Sequence, residues 1–245
     1  MKHTVGVILC TVLLCFGAIS RTQAEEPAGV VAVSAGIAQC VEDIHRAFTA
    51  AGNPPLTFVK EATGPLAQKI DAGAPYDLLV AADPKWPQWL AERGKLRDLH
   101  PCARGHLVLW SQKKEFCTPE TLQDRIVASP TPESTSHGKL AQTYLASRKL
   151  WDVGPENRKL LLTGNALQAV MAVKTGSAEV ALIPMSLAIE VAGSYVVLPA
   201  DPIPTVGGLR AAEADPNAVR FWTFLRSSDA ARIWERWGFE PLSGE

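Results

Sequence analysis

Apolar residues recur along the chain with two periods that take turns. Val30-Val31-Ala32-Val33 is a short apolar, β-branched run. Ser34-Ala35-Gly36 follows, and then Ile37, Val41, Ile44 and Phe48 are spaced by four, three and four, which describes one helix face. Residues 56–59 predict a second strand, Thr63-Gly64-Pro65 a turn, and 66–72 a helix stopped by Gly73. Leu78-Leu79-Val80-Ala81-Ala82 is the continuous apolar run expected of a buried parallel strand. The order then gives strands at 107–110 and 126–128, a polar turn over 129–136, a helix over 138–150, a helix over 166–174 stopped by Gly176, and a strand over 180–183. Val196-Val197-Leu198 runs into Pro199, Pro202 and Pro204, a stretch expected to cross between domains rather than enter a sheet interior. Helices over 218–225 and 230–237 close the pattern. Strands alternating with helices predict an α/β fold with mostly parallel sheets.

The N-terminus departs from this pattern. Lys2 and His3 precede an apolar run over 5–19, and Thr22-Gln23-Ala24 offers a small-residue cleavage site before Glu25-Glu26-Pro27, so residues 1–24 read as a secretory signal peptide. The run is shorter than the ~20 residues of a bilayer span, which leaves an uncleaved anchor as the lesser alternative. Cys10 and Cys15 each follow leucine, unlike a lipidation site. Removing 24 of 245 residues takes away two basic ones and leaves 22 Lys+Arg against 25 Asp+Glu over 221 residues. That balance argues against a nucleic-acid partner. Cys40, Cys102 and Cys117 remain in a compartment that permits disulfides; Cys102 and Cys117 flank the strand over 105–111 and could pair, the alternative being free thiols.

Chemistry concentrates in the turns. Ser34-Ala35-Gly36, Thr63-Gly64 and Ser134-Thr135-Ser136 each precede a helix, and helix N-termini present unpaired N–H groups that together can hold an anion. Each turn taken alone reads first as an ordinary N-cap, and Gly36 and Gly64 could serve backbone geometry. Nucleophile-elbow, zinc-protease, Cys-x-x-Cys and phosphate-loop motifs are all missing. Of His45, His100, His106 and His137, only His137 adjoins an anion turn; there it could donate a hydrogen bond or add charge, or lie on the surface. Trp86, Trp89, Trp222, Trp234 and Trp237 fall in helical segments and read as packing.

The run Leu66-Ala67-Gln68-Lys69-Ile70-Asp71-Ala72-Gly73-Ala74-Pro75-Tyr76-Asp77-Leu78, continued by Ala82-Asp83-Pro84-Lys85-Trp86, resembles the periplasmic molybdate-binding proteins of ABC uptake systems. Val33 to Ile37 with Asp43-Ile44, and Trp234 to Phe239, are similar to that family's first and last elements. The resemblance implies a two-domain periplasmic-binding-protein fold with the ligand in the interdomain cleft. Domain I would comprise 25–105 and 200–245, and domain II 106–199. It further implies a periplasmic monomer, without cofactor or enzymatic activity, that delivers molybdate or tungstate to a membrane permease. The ligand-binding positions become Ser34, Gly36, Thr63, His137 and Ala166, which hold the oxyanion with no cation site. Gly36 stands where the family has a serine, with Ser34 as a substitute, and Pro184 stands where it has a tyrosine hydroxyl. Those two departures keep open another ligand on the same fold, such as sulfate, phosphate, a small organic anion or a metal. Ferric binding is disfavoured because Tyr76, Tyr144 and Tyr195 form no adjacent pair. A secreted enzyme is the alternative of another class.

Overall fold

A computed structural model describes residues 29–133, 135–152 and 159–242; the segment read as a signal peptide, and Ser134 of the third turn, lie outside the described residues. In chain order the elements are β1 (Val30–Ser34), α1 (Ala38–Ala50), β2 (Thr57–Glu61), α2 (Thr63–Asp71), β3 (Leu78–Ala81), α3 (Lys85–Glu92), β4 (Leu96–Gly105) and β5 (Leu107–Ser111). They continue with β6 (Val127–Pro130), α4 (Ser136–Ser147), β7 (Leu160–Thr163), α5 (Ala166–Lys174), β8 (Val180–Pro184), α6 (Met185–Glu190) and β9 (Ser194–Val197). Last come β10 (Ile203–Arg210), α7 (Pro216–Phe224), α8 (Ser228–Arg236) and β11 (Phe239–Pro241).

The strands form two sheets, ordered β11-β4-β10-β3-β1-β2 and β7-β6-β8-β5-β9. The α/β, two-domain architecture is the expected one, but each sheet is mixed. β1 runs parallel to β2 and β3, and β6 parallel to β7 and β8, while the remaining pairs are antiparallel. The parallel half of each sheet comes from the strand–helix–strand units visible in the apolar pattern.

The antiparallel halves come from segments the pattern hides. β10 lies inside the first sheet between β3 and β4, although it carries Pro204 and Gly207-Gly208. Pro204 sits at the second position of the strand, just before a register shift between Thr205 and Val206, where a missing N–H is tolerated. Gly207 is a packing glycine: a Cβ there would lie 2.5 Å from the Trp222 ring. α2 also begins earlier than expected. Thr63-Gly64-Pro65 is its first turn, a position that accommodates proline because the N–H there has no intrahelical partner.

Helices cover both faces of each sheet. On the first, Ile44, Phe48, Phe221, Trp222 and Trp234 pack over Val31 and Val33, and Leu66 and Leu90 pack over Leu79. On the second, Val170 meets Trp110 and Ile183 on one side, while Tyr144 and Leu145 meet Leu109 and Leu182 on the other. Trp222 and Trp234 are thus core residues, and Trp86 lies against Gly64. Buried Asp77 ties β1 to β10. Its carboxylate accepts the Val30 N–H at 2.9 Å, the Asp215 N–H at 3.1 Å and an Arg210 guanidinium N–H at 2.7 Å.

Of the two alternatives for Cys102 and Cys117, the free thiols are found; Cys40 is free as well. Cys102 is buried in β4 of the first sheet, whereas Cys117 follows β5 of the second and donates to the Ser194 carbonyl, so flanking one segment did not make them neighbours. The chain passes between the sheets twice. His106 alone separates β4 from β5, and residues 198–202 join β9 to β10. The crossings run side by side: Gly105 pairs with Ile203, and the Leu198 N–H donates to the Leu107 carbonyl at 3.0 Å. No helix among the described residues is long and apolar enough to cross a membrane.

Candidate functional site

The parallel strands end at the helix-starting turns, as ligand sites in open α/β sheets require. β1 leads into a 3-10 turn over Ala35–Ile37 and α1; β2, β6, β7 and β8 lead into α2, α4, α5 and α6. Between them lies a cavity of about 240 Å³. All five positions expected to bind ligand line it: Ser34, Gly36 and Thr63 from the first lobe, His137 and Ala166 from the second. Pro184 lines it too.

Ser34 and Thr63 are buried, and Thr63 Oγ1 donates to Ser34 Oγ at 3.1 Å. Neither hydroxyl caps a helix. Ser34 makes no capping bond, and the residue before α2 is Ala62, which has no side-chain acceptor. The capping alternative therefore fails for the first two turns. It holds in the third, where Thr135 Oγ1 accepts the Gly138 N–H at 2.9 Å. Asn165, which the sequence did not single out, also lines the cavity and caps α5 by accepting the Gln168 N–H at 2.9 Å.

The two glycines part company. Gly64 packs closely on Trp86: a Cβ would stand 3.0 Å from the ring, so the indole would have to give way. A Cβ on Gly36 would meet no heavy atom within 4 Å, and Gly36 is not in the left-handed region. Neither packing nor backbone geometry asks for glycine at 36.

His137 is buried in the first turn of α4, which overturns a surface role. Its Nε2 has no hydrogen-bond partner among the described residues, and burial pushes its pKa down to about 4. The imidazole is therefore neutral at physiological pH and adds no positive charge. The other three histidines have local partners: His45 accepts the Leu56 N–H, and His100 and His106 meet Asp98 and Glu240.

No lysine or arginine lines the cavity, but Asp83 and Glu190 do. Asp83 is buried, with Oδ1 accepting the Lys85 N–H at 3.0 Å at the start of α3; Glu190 is exposed at the end of α6. Any anion must be held by N–H groups and hydroxyls. Ser186, in the first turn of α6, donates from Oγ to the Gly36 carbonyl at 3.1 Å and joins the lobes beside the cavity. A wider groove of about 530 Å³ runs past Lys85, Trp89, Lys139 and Pro202, but it includes neither buried hydroxyl. Among the described residues no cluster of His, Cys, Asp and Glu could hold a metal ion.

Residues 30–240 match the family model described as bacterial extracellular solute-binding protein. The chain is 24% identical to the molybdate-binding protein ModA of Escherichia coli, an alignment covering 92% of this chain and 94% of that one. Among solved structures, the periplasmic molybdate-binding protein of Azotobacter vinelandii superposes with a TM-score of 0.79 at 22% identity, covering 86% of this chain and 98% of that one. The sulfate-binding protein SubI of Mycobacterium tuberculosis gives 0.73 at 18% identity, over 89% and 88%.

Proposed function

Because the chain belongs to the bacterial extracellular solute-binding protein family, we propose that it captures a tetrahedral oxyanion, molybdate or tungstate first, for uptake by an ABC transporter. It acts in the periplasm as a monomer and hands the anion to the membrane permease. Residues 25–105 with 200–245 make one lobe, and 106–199 the other. One observation carries this reading: the Ser34 and Thr63 hydroxyls, freed from capping, meet the first turns of α4 and α5 in a single cavity. Hydroxyls and helix-start N–H groups can hold an anion without a cationic side chain. Ser34, Gly36, Thr63, His137 and Ala166 form the binding set, the last three supplying first-turn N–H groups and Ser34 a hydroxyl that the Thr63 hydroxyl supports by donating to it.

Pro184, which has neither hydroxyl nor N–H, removes one donor from the set that the resemblance implies. Sulfate and phosphate therefore belong in the same experiment. Titration calorimetry of residues 25–245 with molybdate, tungstate, sulfate and phosphate tests the reading. Saturable heat with molybdate or tungstate supports it, and absence of heat with all four overturns it.

A further inference from the structure

Three features of the cavity go together. The first is its size. At about 240 Å³ the cavity has room beyond one centre and four oxygens, since one water-sized group needs only about 10–15 Å³ of such space. The second is where the extra room arises. Gly36 is glycine for neither packing nor backbone reasons, and its missing side chain opens onto space free of heavy atoms. Pro184, at the end of β8, is a compact ring at a wall position where the resemblance implies a tyrosine.

The third is the lining. Pro184, Leu187, Leu167 and Ala82 add apolar wall, and Leu167 is 57% exposed at the rim. A bare tetrahedral dianion turns charged oxygens in every direction, so some would face this wall and the carboxylates of Asp83 and Glu190 with no donor to meet them. Leaving ionic oxygens without partners in a desolvated site is costly. An anion with one oxygen replaced by carbon fits the division better: three oxygens toward the hydroxyls and N–H groups, and the substituent toward Pro184 and Leu187.

Resting on the oxyanion reading above, we infer that the ligand class of this site extends to tetrahedral oxyanions bearing one short apolar substituent, as in alkyl phosphonates and alkyl sulfonates. The polar head sits at Ser34, Gly36 and Thr63 and at the first turns of α4 and α5. The tail fills the space left by the missing side chain at 36 and the compact ring at 184. No bond is made or broken.

The test is calorimetry with molybdate, propylphosphonate and propanesulfonate on the natural chain and on Gly36→Ser. The variant restores a hydroxyl in open space, so it keeps the fold, which circular dichroism and the melting temperature confirm. The expected result is binding of at least one propyl ligand within tenfold of the molybdate affinity, with the two arms telling a phosphonate head from a sulfonate. Gly36→Ser, which fills the space beside the head with a hydroxyl, should shift the preference toward molybdate by tenfold or more, read as the ratio of the two affinities in the variant against that in the natural chain. Molybdate binding with neither propyl ligand bound overturns the inference and leaves the oxyanion reading standing. An equal loss for both ligand types in Gly36→Ser also overturns it, and no binding of any anion overturns both.

Discussion

Thr63 and Ser34, 29 positions apart in sequence, are joined by a buried hydroxyl–hydroxyl hydrogen bond of 3.1 Å at the wall of the interlobe cavity. A hydroxyl donates one proton and accepts through two lone pairs, so Thr63 hands its proton to Ser34 and leaves the Ser34 proton available for a ligand oxygen. In the proposed site the pair would work as a relay. Thr63→Ala removes a partner and frees Ser34 to reorient, and oxyanion binding should weaken by about 1–3 kcal/mol. Titration calorimetry reads this directly, and an unchanged affinity would place Thr63 outside the site.

His137 gives the fold an acid-sensitive element. In the unfolded chain its pKa is near 6.5, and in the folded protein burial holds it at about 4. Between these values the unfolded state binds the extra proton, so stability falls as pH drops from 6.5 toward 4, with a limit of about 3 kcal/mol. Above pH 6.5 the effect vanishes. Urea denaturation at pH 7 and pH 4.5 should show a smaller loss for His137→Gln than for the natural chain. The residual slope includes His45, whose pKa burial also lowers.

Asp77 holds three donors from three segments. Asp77→Ala leaves two backbone N–H groups and the Arg210 guanidinium without their acceptor. Arg210 is about one-third exposed and rehydrates in part, so the expected loss is about 3 kcal/mol. Denaturant midpoints at constant m-value would measure it. A loss below about 1 kcal/mol would mean that water replaces the carboxylate.

Gly207→Ala places a methyl against the Trp222 ring inside β10 and should cost about 1–3 kcal/mol through overpacking. Gly36→Ala, with open space around the new methyl, should leave stability unchanged to within about 0.5 kcal/mol. Melting both variants beside the natural chain checks the contrast.

That contrast also explains how far the sequence could be read. β1, β3 and β8 are continuous apolar runs, and each was legible because burial on both faces leaves no polar position to confuse the period. β4 and β10 were not legible. β4 alternates buried and exposed residues irregularly around Pro101, and β10 spends two interior positions on glycines that exist for Trp222 and Leu99, partners remote in sequence. At the site, the hydroxyl-bearing turns were legible from their place before helices, the resemblance marked positions in and beside them, and all the residues it marked line one cavity. Local sequence could not reveal that the Ser34 and Thr63 hydroxyls turn to each other rather than to their own helix ends, since that choice depends on β1 and β2 lying side by side. Asn165 and Asp83 were overlooked for the opposite reason. Each looks like ordinary helix-start chemistry, which it also performs.

The paired crossings beside His106 decide how this molecule can move. Gly105 stays laddered to Ile203 on one side, and Leu107 stays bonded to Leu198 on the other, so the axis of least resistance runs through a short two-stranded ribbon. Bending that ribbon would carry the turns of one lobe away from those of the other, and the Ser186 hydroxyl bond to the Gly36 carbonyl would part. A ligand that accepts from both sets of turns would therefore act as a strut across the hinge, adding its own bonds to the Ser186 tie and to the packing of Met185 against Gly238.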